Sequence, residues 1–400
     1  MIYKYKKIHK EGSVLSMNKI TNDIIYIGVN DHQIDLFEGQ YLVPKGISYN
    51  SYLINDEKKV IMDTVDVGFT KEWLANIKEA LKDEQPDYVV VQHMEPDHSA
   101  SIAELVKEYP NITVVGNAKT FTMLKQFFKD IKVNQQVVSE NDTLTLGKHN
   151  LKFIMAPMVH WPEVMMSYEE SEQILFSADA FGKFGALDVE EEWQDEARRY
   201  YIGIVGKYGV QVQNVLKKAA SLAIKTICPL HGPILKDNLE KYLNDYQVWS
   251  SYQPETKGVL IAYSSIYGHT KKVVEILEKA LKEKTSNDVV VRDLARSDLS
   301  EVIALAFQYD KLVLAGVTYN GGLFPHMNTF MEGLVERNYQ KRKVAIIENG
   351  AWAPMLAKKI MEKLANSKEI TYVEPIVKIN ASFSEQNVQE IENLSKQLLD

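Results

Sequence analysis

The sequence predicts two α/β domains in tandem: an N-terminal αββα sandwich and a C-terminal doubly wound parallel sheet. Three observations lead there. In the last 144 residues, five short apolar runs alternate with amphipathic helical patterns, the alternation of a parallel sheet with crossover helices. Before them, many strands mix with intervening helices, as in a layered sandwich. Between the two lies a Ser/Pro/Gly stretch at 250–258 (SSYQPETKG), where the charge balance also shifts. Residues 257–400 carry 19 Lys/Arg against 18 Asp/Glu; of the chain's 46 and 54, the other 27 and 36 precede them. The domains are therefore set at 17–252 and 253–400. Residues 1–16, basic and weakly patterned, are read as a disordered extension.

The elements follow in order. In the first domain, strands are expected at 24–29, 48–54, 59–63, 88–93, 112–116, 151–156, 164–168 and 174–177, and helices at 71–82, 101–108, 119–129 and 210–223. In the second, strands at 259–263, 289–291, 312–317, 344–347 and 372–379 alternate with helices at 270–284, 299–308, 328–337, 355–367 and 385–399. The acidic run 188–196 is read as a solvated helix face. Composition excludes several classes. No apolar run nears the ~20 residues of a membrane-spanning helix, and the net charge of −8 disfavours nucleic acid. A soluble cytoplasmic protein is expected. The single cysteine, Cys228, rules out an intrachain disulfide and a four-cysteine cluster within these residues, so any metal must be held by nitrogen and oxygen.

The sharpest motif is VVVQHMEPDH, in which a buried strand runs into His93, Glu95, Asp97 and His98. Alternation puts His93, Glu95 and Asp97 on one side, with His98 turning in afterwards. His160 follows the strand at 151–156, Asp179 the strand at 174–177, and His231 a short apolar run. Singly, His160 beside Trp161 reads as a packed core histidine and Asp179 as a turn residue. Jointly, seven donors at successive strand ends point to metal, since buried charges must be paired or metal-bound. Seven are too many for one ion and suit two sharing a carboxylate. Glu95 stands where a hydrolytic zinc site of this type carries histidine, and its hard anionic oxygen favours iron or manganese. His9, His32 and His149 are read as surface or local-structure residues.

The second domain carries three loops at the carboxyl ends of its strands, where such sheets bind ligands. Ser264, Ser265, Ile266, Tyr267, Gly268, His269 and Thr270 lead into a helix and offer hydroxyls and N–H groups to an anion. Lacking the lysine of a nucleoside-triphosphate loop, they suit a phosphate monoester. Thr318, Tyr319, Asn320, Gly321 and Gly322 follow the third strand, and Asn349, Gly350, Ala351 and Trp352 the fourth. Their backbone groups suit an isoalloxazine edge, with Tyr319 or Trp352 on its face. Ordinary βα turns with surface aromatics are the alternative.

Taken together, these motifs resemble the flavodiiron proteins, or A-type flavoproteins, across residues ~17–400. The resemblance implies a metallo-β-lactamase-like sandwich followed by a flavodoxin-like domain. It implies FMN and two non-haem irons, the first iron on His93, Glu95 and His160, the second on Asp97, His98 and His231, with Asp179 bridging. It further implies reduction of dioxygen to water or of nitric oxide to nitrous oxide, a separate rubredoxin-like electron donor, and a head-to-tail homodimer or a tetramer. The rival expectation is a zinc-dependent hydrolase of the metallo-β-lactamase superfamily with an accessory flavodoxin-like domain.

Overall fold

The computed structural model describes residues 19–82 and 84–400, so the extension expected at 1–16 lies outside the described residues. They form two compact units. One combines the described residues up to Asp31 with Ser48–Met155 and Glu163–Ala178; the other combines His32–Ile47, Ala156–Pro162 and Asp179–Asp400.

The first unit is built on a sheet ordered Ile24–Tyr26, Tyr52–Ile54, Val60–Met62, Tyr88–Val90, Thr113–Gly116, Asn134–Val137. Its first two pairings are antiparallel and the remaining three parallel. The strands Tyr52–Ile54 and Val60–Met62 are buried throughout, so they read as continuous apolar runs without alternation. The edge strand Asn134–Val137 (NQQV) has no apolar signal because it is mostly exposed, and sequence patterning misses it. Helix Thr70–Leu81 buries Trp73, Ile77 and Leu81, four residues apart on one face, and stops at Lys82, whose φ of 50° is left-handed. The unit also carries an antiparallel set, Thr143–Thr145, Asn150–Met155, Met165–Glu169 and Ile174–Phe176.

In the second unit a parallel sheet runs Asp288–Asp293, Thr256–Tyr263, Tyr309–Tyr319, Arg342–Asn349, Ile370–Ile379. Numbered along the chain, that order is 2-1-3-4-5, the doubly wound arrangement whose ligands sit at the carboxyl edge between strands one and three. Val259, Ile261 and Tyr263 pack one face against Val273, Val274, Leu277 and Leu281 of helix His269–Lys282 and Ile391, Leu394 and Leu398 of helix Glu385–Leu399. The alternate residues Leu260 and Ala262 are buried as well, and helix Leu299–Gln308 packs on the strands Thr256–Tyr263 and Tyr309–Tyr319.

The acidic run departs from expectation. Helix begins only at Trp193, continuing into a π-helical turn at Tyr201–Val205. Residues 188–192 are loop, with Glu191 tied to Lys45 (2.5 Å) and to the buried Lys183 (3.0 Å). Glu191 is held by cations of its own unit, and the run is not one continuous helix face.

Candidate metal centre

Tyr88–Val90 ends three residues short of the expected strand because buried Asp63 turns the chain. Asp63 Oδ1 accepts the backbone N–H groups of Gln92 (2.7 Å) and His93 (3.3 Å), and its Oδ2 accepts the Gln92 amide (2.9 Å). Burial pushes its carboxyl up to about 6 against these bonds. Beyond this clamp, His93 is fully buried with Nε2 3.1 Å from Glu95 Oε2. Pro96–Ser99 forms a single helical turn that carries Asp97 and His98, whose side chains approach to 3.3 Å. Thr64 holds the turn, donating N–H (2.9 Å) and Oγ1–H (2.8 Å) to the His98 carbonyl. Strand alternation therefore accounts for none of the four: His93 and Glu95 are presented by the loop after the strand. Asp97 and His98 are placed by the helical turn.

His160 and Asp179 lie in loops with left-handed non-glycine residues: Met158 (φ 66°) before His160, and Ala178 (50°) and Phe181 (67°) around Asp179. Such conformations concentrate at functional sites. Asp179 directs Oδ2 to His160 Nε2 at 3.1 Å and Oδ1 towards His231 Nε2 at 3.8 Å. One carboxylate oxygen thus faces each histidine, the disposition of a carboxylate shared between two ions. His231 is fixed by the edges of Phe37 and Tyr200, with ring centroids 5.3 and 5.5 Å away. At Gly182 a Cβ would come within 3.0 Å of the Asp179 carbonyl and 3.4 Å of His231 Cβ, so only glycine fits unstrained.

One unit carries His93, Glu95, Asp97 and His98, and the other carries His160, Asp179 and His231. All donors are nitrogen or oxygen, and six of the seven residues are buried. Three carboxylates gathered among four histidines at this burial require positive charge. The set therefore fits two cations, and its hardness suits iron.

Two functional residues escape the sequence reading. Glu163 Oε1 bonds His93 Nδ1 (2.8 Å) and accepts the Met94 N–H (2.9 Å). Burial raises its carboxyl, but the His93 and Met94 bonds outweigh this and hold it below its usual range. The other is Asp63. Asp63 follows a buried strand, the signal used for Asp179, whereas Glu163 precedes one and carries no such signal. A third group, Asp23, His149 and Glu172, is of another kind: Lys148 Nζ reaches Asp23 (2.6 Å) and Glu172 (2.9 Å), so a cation already sits there. His149 is fully buried, a local-structure residue and not a surface one.

At the carboxyl edge of the parallel sheet, Ser264 Oγ is buried with no hydrogen-bond partner among the described residues. Ser265 Oγ accepts the N–H groups of Gly268 (3.2 Å) and Lys271 (3.3 Å) at the helix start. Gly268 (φ 89°) and Gly321 (φ 70°) face open space, while Tyr267, Tyr319 and Trp352 stand exposed around the edge. The Thr270 hydroxyl accepts the Asn349 amide (3.3 Å) and the Thr318 hydroxyl the Met355 N–H (2.9 Å), which leaves each O–H to donate. An orphaned buried hydroxyl, open glycines and exposed rings suit a phosphorylated flavin.

Residues 47–232 match the ODP family beta lactamase, and residues 260–386 match a flavodoxin domain. The chain is 30% identical over 367 residues to the nitric oxide reductase of Moorella thermoacetica, covering 89% of this chain and 91% of that protein. The chain belongs to the flavodiiron proteins. A variant of the flavo di-iron protein of Thermotoga maritima superposes with a TM-score of 0.85 at 25% identity, covering 94% and 96% of the two chains. The rubredoxin oxygen:oxidoreductase of Desulfovibrio gigas shares the fold, with a TM-score of 0.88 at 24% identity over 95% and 97%. This flavodiiron protein thus joins a metallo-β-lactamase-like domain to a flavodoxin-like one, is an oxidoreductase, and has FMN and a pair of non-haem irons as its cofactors. Among the described residues no helix is long and apolar enough to cross a membrane.

Proposed function

We propose that this flavodiiron protein reduces nitric oxide to nitrous oxide, and dioxygen to water, with electrons passed through FMN from a rubredoxin-like donor. Asp179, with one oxygen towards His160 and the other towards His231, is the observation that carries the reading. His93, Glu95 and His160 would hold one iron and Asp97, His98 and His231 the other, with Asp179 shared between them. When bound, the irons supply one-electron chemistry towards the gas, and FMN supplies a two-electron store released singly. The chain's own residues orient the donors: Asp63 and Thr64 clamp the loop that presents four of them. Ser264, Ser265 and Gly268 hold the flavin phosphate, while the loops at 318–322 and 349–352 hold its ring.

Nitric oxide is placed first because the Moorella relative bears that name at 30% identity over nearly its whole length. The Desulfovibrio protein's name supports dioxygen and a rubredoxin donor. A head-to-tail homodimer or a tetramer in the cytoplasm completes the proposal, as the resemblance implies; sizing by light scattering and cell fractionation check those parts. The central test is the purified protein. It is expected to show a flavin spectrum, about one FMN and two irons per chain, and anaerobic nitric oxide turnover exceeding dioxygen turnover with the same reduced rubredoxin. A colourless protein with two zincs would overturn the reading in favour of a metallo-hydrolase.

A further inference from the structure

We infer that Glu163 is a positioning residue for the metal centre: by accepting the hydrogen bond of His93 Nδ1–H it fixes the imidazole with Nε2 as the metal donor. The inference rests on the reading of His93 as an iron ligand. Glu163 and His93 side chains are both fully buried and 2.8 Å apart. The same Oε1 accepts the Met94 N–H at 2.9 Å, so it works as an acceptor and the proton between it and the ring belongs to Nδ1. Nε2 is then the unprotonated nitrogen, on the side where Glu95 Oε2 lies 3.1 Å away. Glu163 itself is anchored through its backbone: its carbonyl accepts the Asn117 amide at 2.5 Å, and Asn117 caps helix Ala118–Phe127. The acid is thus tied to a rigid element before any ion binds. A carboxylate behind a ligating imidazole sets its tautomer and raises its basicity, and losing such a partner typically weakens metal binding roughly 10–100-fold.

The test titrates ferrous iron into anaerobic apoprotein against a chromophoric chelator, for wild type, Glu163→Gln and Glu163→Asp. Glutamine keeps an acceptor but loses the charge; aspartate keeps the charge but draws it back by one methylene. Both variants are expected to hold one of the two irons roughly 10–100-fold more weakly, with aspartate the more affected. Flavin content should stay at the wild-type value, while the thermal midpoint of the apoprotein should fall, since both variants weaken a buried hydrogen-bonded pair. Two irons bound at wild-type affinity by both variants would overturn the inference while leaving the proposed function intact. A wild type that binds no iron pair would instead overturn the proposed function. Should both variants fail to fold, the wild type decides. In zinc-loaded, 15N-histidine-labelled protein a long-range 1H–15N spectrum must show the His93 proton on Nδ1, and a proton on Nε2 sinks the idea.

Discussion

Glu95 brings an anionic oxygen to within 3.1 Å of His93 Nε2, and at this single position the choice between metals is concentrated. Glu95→His replaces a hard donor with a borderline one. We expect the variant to shift from iron towards zinc and to lose gas reduction at least tenfold; unchanged iron content by metal analysis contradicts the hardness argument. A second residue-scale prediction concerns His149, whose Nδ1 lies 3.0 Å from Glu169 and Nε2 3.4 Å from Asp23. Burial opposes the charge on both partners, but their mutual bond prevails: Glu169 falls to about 2 and His149 rises. The Glu169 contribution is complete above its ordinary 4.5 and fades as pH falls towards 2. That of His149 is complete below its ordinary 6.5 and fades as pH rises through its folded value. The pair therefore stabilises most between those two ordinary values. Glu169→Gln should cost about 3 kcal/mol at pH 5.5 and less at either extreme, as read from urea unfolding between pH 3 and 8; a pH-independent gap would show the pair to be idle. The donors were legible as residues because acids and histidines at the ends of apolar strands stand out. Asp63 carries the same mark but lies apart from the HxExDH motif, and Glu163, which precedes its strand, carries none.

At the scale of elements, apolar periodicity located every helix of the parallel-sheet half, with termini differing by a few residues. Helix His269–Lys282 shows why: Val273, Val274, Leu277 and Leu281 form one stripe on the sheet. Leu277 is fully buried in that cluster, so Leu277→Ala should destabilise by about 2–5 kcal/mol. Urea unfolding followed by flavin release is the measurement, and a loss under 1 kcal/mol would mean the cluster repacks. The helix start makes a separate prediction. Ser265→Ala removes the acceptor for two N–H groups and should cost about 1 kcal/mol, with weaker FMN retention on dialysis. Elements without an apolar period stayed hidden: Asn134–Val137 is an exposed edge, and the acidic residues before Trp193 look helical in sequence yet form a loop in which Glu191 is held by Lys45 and Lys183.

On the scale of the whole molecule, three carboxylates among buried histidines make stability depend on metal. Removing metal with a chelator should lower the thermal midpoint by several degrees, ferrous iron should restore it, and the size of the shift should rise with iron concentration. A midpoint indifferent to iron, followed by calorimetry, would argue against two ions at these donors. The chemistry available to this protein was written in its sequence: one cysteine forced nitrogen and oxygen donors, the strand–helix alternation set two α/β folds, and the hydroxyl-rich and glycine-bearing loops marked the flavin edge. Only the tertiary structure decided that each Asp179 oxygen faces a different histidine and that Glu163 stands behind His93. The reason is physical. Hydrophobic periodicity reports which residues of a regular element are buried, whereas the donors sit on turns whose backbone angles, at Met158, Ala178 and Phe181, follow no period and are fixed by packing against distant parts of the chain.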